Sequence, residues 1–273
     1  MGSIQGKSVA ESYGDYFYID NSNSGFDGTI RQIKDGTGDT CPLYLSNTKV
    51  KIQTSTDSTT NTVIYDASGN ALVTVDSTND LVKAGLGQHI VNTQFKQFGL
   101  MDYSPTAGTH HPLVSATMIS TISSGLDYSG LVNGSNWGGT GTNPNTSLTI
   151  ATVAGQFVPS AWLLQNNITI DEIQYIMSAD ASTTANLHVM SYSLVAGSGA
   201  TAGDLTSGAV LAQTGSADDS LSPVTIGADR TSNGTLTINT ADVDSSKAIL
   251  VFAENVGGTD DITVQVNIKY HLR

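Results

Sequence analysis

Short runs of alternating apolar and polar residues, separated by turns rich in Gly, Asp, Asn and Ser, extend along most of the chain. The most regular run is 262–270, where every second residue is apolar; this is the period of a strand with one buried face. Residues 248–253, AILVFA, form a continuous apolar run, which predicts a strand buried on both faces. The pattern therefore predicts an all-β fold.

The alternating runs divide the chain into three predicted regions. Residues 148–273 contain about seven or eight predicted strands, enough for one jelly roll or β-sandwich head. Residues 96–147 include the loop sequence NGSNWGGTGTNPNTS and are interpreted as a linker or neck. Residues 1–95 are interpreted as a β-rich attachment and stem region.

A repeated turn marks the stem. The sequence DASGN at 66–70 is followed ten residues later by DSTND at 76–80, and short apolar stretches lie between these turns. Rungs this short cannot bury their own apolar face, so they need stacked rungs or identical strands from other chains. Either a homotrimeric stem or two successive hairpins in a monomeric sheet fits the pattern. For the stem, the predicted trimer core is Ile64, Leu72, Val73 and Val75.

An aromatic cluster lies near the start of the sequence, at Tyr13, Tyr16, Phe17 and Tyr18. Large aromatic side chains are effective anchors at protein interfaces. The cluster is therefore a candidate for attachment to a neighbouring protein, with ordinary core packing as the alternative.

Charge narrows the classes of partner. The chain has 11 Lys and Arg against 24 Asp and Glu, a net charge of -13, and no basic residue between 97 and 229. Nucleic-acid backbones require several basic contacts, so we expect no nucleic-acid binding. Because no apolar run approaches the ~18 residues of a membrane span and no secretory signal is visible, we expect no membrane insertion. Cys41 is the only cysteine, which excludes an intrachain disulfide.

Metal sites and cofactor sites find little support in the sequence. Zinc requires clustered Cys and His ligands, and His110 and His111 are the only adjacent histidines. They are weak metal candidates, because neighbouring residues of a strand point to opposite faces. A solvated loop before Pro112 is the preferred interpretation. No cofactor is predicted.

Catalytic machinery is also not evident. The three glutamates are Glu11, Glu172 and Glu254, and no G-x-S-x-G nucleophile elbow occurs. The acidic pairs at 171–172 and 260–261 are interpreted as polar turn residues rather than the paired carboxylates of a glycosidase. The chain is therefore predicted not to be an enzyme. Trp137, in the Gly-rich loop, is a candidate ligand contact, whereas Trp162 is interpreted as core.

Two stretches resemble tailed-bacteriophage virion fibre or spike proteins. Residues 16–52, YFYIDNSNSGFDGTIRQIKDGTGDTCPLYLSNTKVKI, resemble the N-terminal β-rich repeats of such proteins, and residues 63–85, VIYDASGNALVTVDSTNDLVKAG, resemble their intertwined trimeric β-stem. The last 125 or so residues resemble a jelly-roll head of the kind that caps many fibres. The resemblance implies a non-enzymatic homotrimer located on the virion and assembled in the host cytoplasm.

Three functions follow as expectations. The first is a tail or head fibre that binds other virion proteins and contacts a glycan or protein of the host surface. The second is a capsid decoration or cement protein, and the third is a carbohydrate-binding or adhesin module. The sequence does not separate the first two, and an exported adhesin would need a signal sequence.

Overall fold

The computed structural model describes residues 16–22, 24–103, 106–115, 138–149, 160–196, 203–215, 221–258 and 261–273. In this part of the chain the elements are antiparallel β-strands, which confirms the all-β prediction. The chain divides into two compact units, residues 1–91 and residues 92–273.

The N-terminal unit contains two four-stranded antiparallel sheets, with strand orders β1-β2-β3-β4 and β5-β6-β7-β8. Each strand pairs with its neighbour in sequence within its sheet. Eleven residues connect β1 to β2, and the other connections are four or five residues long, as in hairpins. The strands are β1 (Tyr18–Ile19), β2 (Arg31–Lys34), β3 (Thr40–Leu45), β4 (Val50–Ile52), β5 (Thr62–Tyr65), β6 (Ala71–Asp76), β7 (Leu81–Ala84) and β8 (His89–Ile90).

The C-terminal unit is built from two larger sheets. A seven-stranded sheet has the order β10-β20-β14-β15-β18, with β12 also paired to β20 and β16 to β14; a six-stranded sheet has the order β11-β9-β21-β13-β17, with β19 also paired to β13. The strands are β9 (Thr93–Tyr103), β10 (His110–Pro112), β11 (Val114–Ser115), β12 (Trp162–Leu163), β13 (Ile168–Ala179), β14 (Thr183–Leu194), β15 (Leu205–Gln213), β16 (Val224–Ile226), β17 (Arg230–Thr235), β18 (Thr237–Ile238), β19 (Asp242–Val243), β20 (Lys247–Asn255) and β21 (Ile262–Leu272).

The two large sheets form a β-sandwich around one apolar core. Every second side chain of β13 and β21, in the six-stranded sheet, packs against every second side chain of β14 and β20, in the seven-stranded sheet. Ile268 and Val251 are among the fully buried ones. Burying such side chains contributes about 1.5–3 kcal/mol each. The predicted alternation of residues 262–270 is confirmed, since the apolar positions are buried and the intervening ones are not. The jelly-roll connectivity stays a prediction.

The seven-stranded sheet also buries its second face, which we call the outer face because it is turned away from the six-stranded sheet. A smaller apolar cluster lies there, around Tyr192, Leu250 and Phe252. Residues 138–149 cover this cluster, with Leu148 packed into it and the Asn145 carbonyl accepting a 2.8 Å hydrogen bond from Tyr192 Oη. Residues 248–255 are accordingly all buried, as the continuous apolar run predicts.

The compact units differ from the predicted regions in one respect. The division falls between residues 91 and 92, and residues 93–103 form β9, a strand hydrogen-bonded to both β11 and β21 inside the sandwich. Residues 93–95, predicted as the end of the N-terminal region, and residues 96–103, predicted as neck, therefore lie in the same unit as the predicted head, as do β10 and β11. The physical reason is that β9 has eleven residues and its inward side chains Phe98 and Leu100 complete the sandwich core.

Candidate functional site

The second sheet of the N-terminal unit presents an apolar face to solvent. The register places Ile64 beside Val73 and Ala84, and Val75 beside Val82. Ile64 is 56% exposed and Val82 is 43% exposed, although both are large apolar side chains. We call these five residues the stem face. Three of the four predicted trimer-core residues, Ile64, Val73 and Val75, lie on it.

Leu72, the fourth predicted trimer-core residue, lies on the opposite face of the same sheet. It precedes Val73 in β6, and consecutive residues of a strand point to opposite sides. The same face carries an ion pair, in which Lys83 Nζ lies 3.1 Å from Asp76 Oδ2. The side chain of Asp76 is fully buried. The Asn79 and Lys83 hydrogen bonds lower the pKa of Asp76, although burial of the carboxyl opposes them.

The N-terminal unit has almost no interior of its own. Among its described residues only Thr74 and Asp76 are fully buried, and no apolar side chain is. Two- to four-stranded sheets without a covered apolar face are marginal in water. The exposed stem face is therefore suited to be covered by another protein surface.

Recurrent aspartate turns fix the ends of these short strands. Asp66 Oδ1 accepts hydrogen bonds from the backbone N–H groups of Ser68 and Asn70, and Asp35 Oδ1 does the same for Thr37 and Asp39. The φ angles of Gly38 and Gly69 are +93° and +83°, a region that glycine enters without steric cost. Side-chain hydrogen bonds from Thr37 to Asp35 and from Asn70 to Asp66, together with these backbone contacts, lower the pKa of both aspartates. The first copy of the repeated sequence, DASGN, is thus the hairpin connection between β5 and β6. The second copy, DSTND, leads from the end of β6 to β7, and there Asp76 Oδ1 accepts a hydrogen bond from the Asn79 N–H group.

The aromatic cluster near the start of the chain is exposed where the structure describes it. Tyr16, Phe17 and Tyr18 are at the surface, with Phe17 75% exposed, and Tyr13 lies outside the described residues. Phe17 and Tyr18 line one side of an open recess of about 420 Å³. The other lining residues include Phe26, Ile33 and Leu45. The recess is apolar and open enough to receive a side chain of a neighbouring protein.

The histidine pair is not in a solvated loop. His110 and His111 lie in β10 and are both buried, because β10 pairs with β20 along the edge of the seven-stranded sheet. That long-range pairing is the reason the sequence interpretation was wrong. His110 points to the outer face, where its ring meets that of His188 edge-on with the ring centroids 4.9 Å apart. His111 points to the other side, where Nε2 contacts Thr109 Oγ1.

Burial disfavours protonation of two histidines, His188 and His111. It lowers the pKa of His188 to about 3, with the neighbouring His110 acting in the same direction. Burial also lowers the pKa of His111 to about 4. Several buried polar atoms on the outer face have no hydrogen-bond partner in the structure. They are both ring nitrogens of His188, both polar atoms of the Gln213 amide, and His110 Nδ1. Within the described ranges no group of three or more His, Cys, Asp or Glu side chains could hold a metal ion.

The remaining predicted positions are placed as follows. Trp162 packs against Tyr270 with ring centroids 4.8 Å apart, whereas Trp137 lies outside the described residues. Asp171 and Glu172 are not turn residues: they lie inside β13, at a bulge between Ile170 and Glu172, and Asp171 Oδ1 lies 2.8 Å from His271 Nδ1. The bulge lets polar residues occupy the strand without entering the core.

Comparison with known protein families found no family model that matches the chain, and comparison with curated proteins found no related sequence. Among the described residues, no helix has the length and apolar character needed to cross a membrane.

Proposed function

We propose that the chain is a non-enzymatic structural protein of a tailed-bacteriophage particle, in which three copies join through their stem faces and the sandwich contacts the host surface. One observation carries the proposal. The N-terminal unit exposes an apolar sheet face while none of its described apolar side chains is fully buried. A unit of that kind gains its stability by association.

The geometry of the stem face supports a shared core. Ile64, Val73 and Val75 project from one side of a thin sheet, and Asp76 and Lys83 occupy the other side. Copies related by a closed symmetry axis can bring their apolar sides together while the sides that carry the Asp76–Lys83 ion pair face away from the axis. The number three comes from the likeness of residues 63–85 to trimeric fibre stems.

Attachment to the particle is assigned to the exposed aromatic cluster. Phe17 and Tyr18 line an apolar recess rather than packing into a core. Buried aromatic anchors dominate the affinity of many interfaces, so this surface suits a contact with another virion protein.

Two measurements test the proposal. Sedimentation equilibrium of the full chain should give a mass about three times the 28.4 kDa of one chain, and a stable monomer at micromolar concentration would contradict the assembly. Labelled chain should also bind saturably to cells of the bacterium that the particle infects and should compete with infection. If trimers form but no cell binding occurs, and particles lacking the protein lose capsid stability, the protein is a capsid decoration protein instead.

A further inference from the structure

The solvent face of the six-stranded sheet carries an unusual set of side chains. Two adjacent rows cross the sheet at right angles to its strands. The first row contains Gln97, Asn267, Gln174 and Thr235, and the second contains Gly99, Gln265, Ile176 and Asn233. Gly99 contributes no side chain and is itself buried. The side chains of the other seven residues face away from the core, because their strand neighbours Phe98, Val264, Val266, Ile173 and Met177 are buried. We call the two rows the amide face.

Three of the five amide side chains of this face each make one side-chain hydrogen bond within the described residues, so most of their donor and acceptor groups are left over for a ligand. Their side-chain hydrogen bonds within the described residues are a long one of 3.5 Å from Gln265 to Asn267 and one of 2.8 Å from Gln174 to Glu172. Each amide supplies two N–H donors and one carbonyl acceptor. Neighbouring strands lie about 4.8 Å apart. The face is therefore a grid of neutral donors and acceptors at close, regular spacing.

The grid contains a partly apolar depression on its β21, β13 and β17 side. The depression has a volume of about 410 Å³, which falls within the size range of small-ligand sites. Five of its lining residues belong to the two rows, Gln174, Ile176, Asn233, Thr235 and Asn267, and the other two are Tyr175 and Gly234. Ile176, one of the lining residues, is 44% exposed. The depression thus offers hydrogen-bonding groups around an apolar patch.

Charge decides which ligand suits this arrangement. Neither row contains a charged residue, and the next row holds an opposed pair, Glu172 and Lys269. Beyond the other end lie Asp180, Asp229 and Asp261 with a single Arg230. A phosphate-rich or sulfated ligand would meet no group of cationic side chains here. The two rows contain no Trp, Tyr or Arg of the kind that anchors protein interfaces, although Tyr175 is part of the lining of the depression.

We propose that the amide face is a binding site for a neutral glycan of the host surface. Sugar hydroxyls both donate and accept hydrogen bonds, as amides do, and the C–H face of a sugar ring can rest on Ile176. This inference rests on the proposed function, since it specifies which part of the sandwich contacts the host and what chemistry it contacts.

The test uses the full chain and two double variants. Gln174→Ala with Asn267→Ala removes two amides beside the depression. The matched control, Gln165→Ala with Asn166→Ala, removes two exposed amides from the loop before β13. All four positions are outside the core, so both variants should keep the melting temperature of the wild type.

The probes are an array of neutral and anionic oligosaccharides and host cells treated with periodate or with protease. We expect retention of at least one neutral oligosaccharide, a loss of affinity of ten-fold or more in the amide-face variant, and no change in the control. Cell binding should fall after periodate, which cleaves sugar diols, and persist after protease.

The outcomes separate this inference from the proposed function. If the wild type binds cells and the amide-face variant binds them equally well, the fibre proposal stands and the amide face is not the site. A preference for anionic oligosaccharides, or cell binding abolished by protease alone, would also overturn the glycan assignment. If the wild type binds neither cells nor any oligosaccharide, host contact by the sandwich is wrong as well.

Discussion

At the residue scale, the outer face of the seven-stranded sheet holds polar side chains in an otherwise apolar setting. Asn186 Nδ2 donates a 2.8 Å hydrogen bond to Glu254 Oε2, and His188 and Gln213 lie directly opposite each other in register. His188 is fully buried. Buried polar groups left without partners lower the free energy of unfolding by about 1–3 kcal/mol each. Because one of these groups is a histidine, we expect the stability of this face to depend on pH.

The first prediction concerns acid. A histidine titrates near 6.5 in an unfolded chain, whereas in the folded chain the pKa of His188 is about 3 and that of His111 is about 4. The unfolded state therefore binds these protons first, and stability is greatest above pH 6.5 and is lost as the pH falls towards 4. Each histidine contributes a slope of up to about 1.4 kcal/mol per pH unit. Urea unfolding of the sandwich from pH 7 to pH 4.5 measures it.

Two variants test whether His188 causes this pH dependence of the unfolding free energy. His188→Leu removes the titrating group from an apolar site and should flatten the pH dependence relative to wild type without loss of stability at pH 7. His89→Gln, at an exposed position in the N-terminal unit, should leave the slope unchanged. An unaltered slope in His188→Leu would show that His188 is not protonated on unfolding in this range.

The second prediction concerns the segment that covers the outer face. Tyr192→Phe keeps the ring packed against Leu148 but removes the hydrogen bond to the Asn145 carbonyl. We expect a loss of about 1 kcal/mol in unfolding free energy and faster hydrogen exchange in residues 138–149. Tyr270→Phe, which removes a hydrogen bond to Gln94, should leave exchange in that segment unchanged. Equal protection in all three proteins would refute the role of Tyr192.

Residue-scale features were the least predictable from sequence. The burial of His110 and His111 depends on the pairing of β10 with β20, more than 140 residues away along the chain. The residues around Pro112 do not indicate that this segment pairs with β20. Asp171 was mistaken for a turn residue because a bulge, unlike a turn, has no distinctive sequence here. The amides of the amide face were individually visible, but their alignment depends on register across four strands.

At the element scale, substitutions on the two faces of the β5–β8 sheet should have different effects on assembly. Ile64→Asp places a charge on the stem face at a position already exposed in one chain, so the chain should still fold but three charges would be buried together on assembly. We expect the trimer to dissociate to monomers in sedimentation velocity experiments. Val75→Asp should act in the same direction.

Leu72→Asp is the matched control for that prediction. Leu72 is 39% exposed and lies on the opposite side of the sheet from Val73 and Val75. The same change of side chain there should leave the trimer intact. Loss of assembly in both variants would indicate a general destabilisation of the sheet, and loss in Leu72→Asp alone would place the interface on the other face.

Strands were predictable from sequence where the apolar residues match the buried positions, either along the whole strand or at every second residue. The run 248–253 lies in β20, buried on both sides, and the alternation at 262–270 lies in β21. In β9 the pattern is inverted: Phe95 is 71% exposed on the solvent side, while Lys96 lies on the inner side near the ring of Phe98. Lysine can lie along an apolar surface with its amine in water, so its presence concealed a sandwich strand within the predicted neck.

At the scale of the whole molecule, the two units should differ in autonomy. Both buried apolar clusters of the described structure lie in residues 92–273. Residues 92–273 expressed alone should unfold cooperatively at a temperature close to that of the sandwich in the full chain. Residues 1–91 alone should be folded only when associated, which circular dichroism over a concentration series measures. A monomeric, folded N-terminal fragment at low concentration would contradict the assignment of its apolar face to assembly.

The all-β class and the presence of a sandwich were accessible from sequence, because both follow from period-two patterns and turn composition. The boundary at residue 91 was not, since it depends on which sheet β9 joins. The number of copies in the assembly also lies beyond the pattern, because a short apolar rung indicates a need for neighbours without fixing how many.

The place of β21 in the sandwich has a consequence for synthesis on the ribosome. β21 ends at Leu272 and is hydrogen-bonded between β9 and β13, the first long strands of the unit to be translated. Until β21 emerges, the facing edges of β9 and β13 have no partner and the core is open. The unit should therefore fold only after nearly all of it has been made, and slowly, since pairings between distant segments carry a high entropic cost of closure. During that interval the nascent chain presents unpaired strands to its neighbours, and chaperone binding or synthesis at low temperature should raise the yield of native protein.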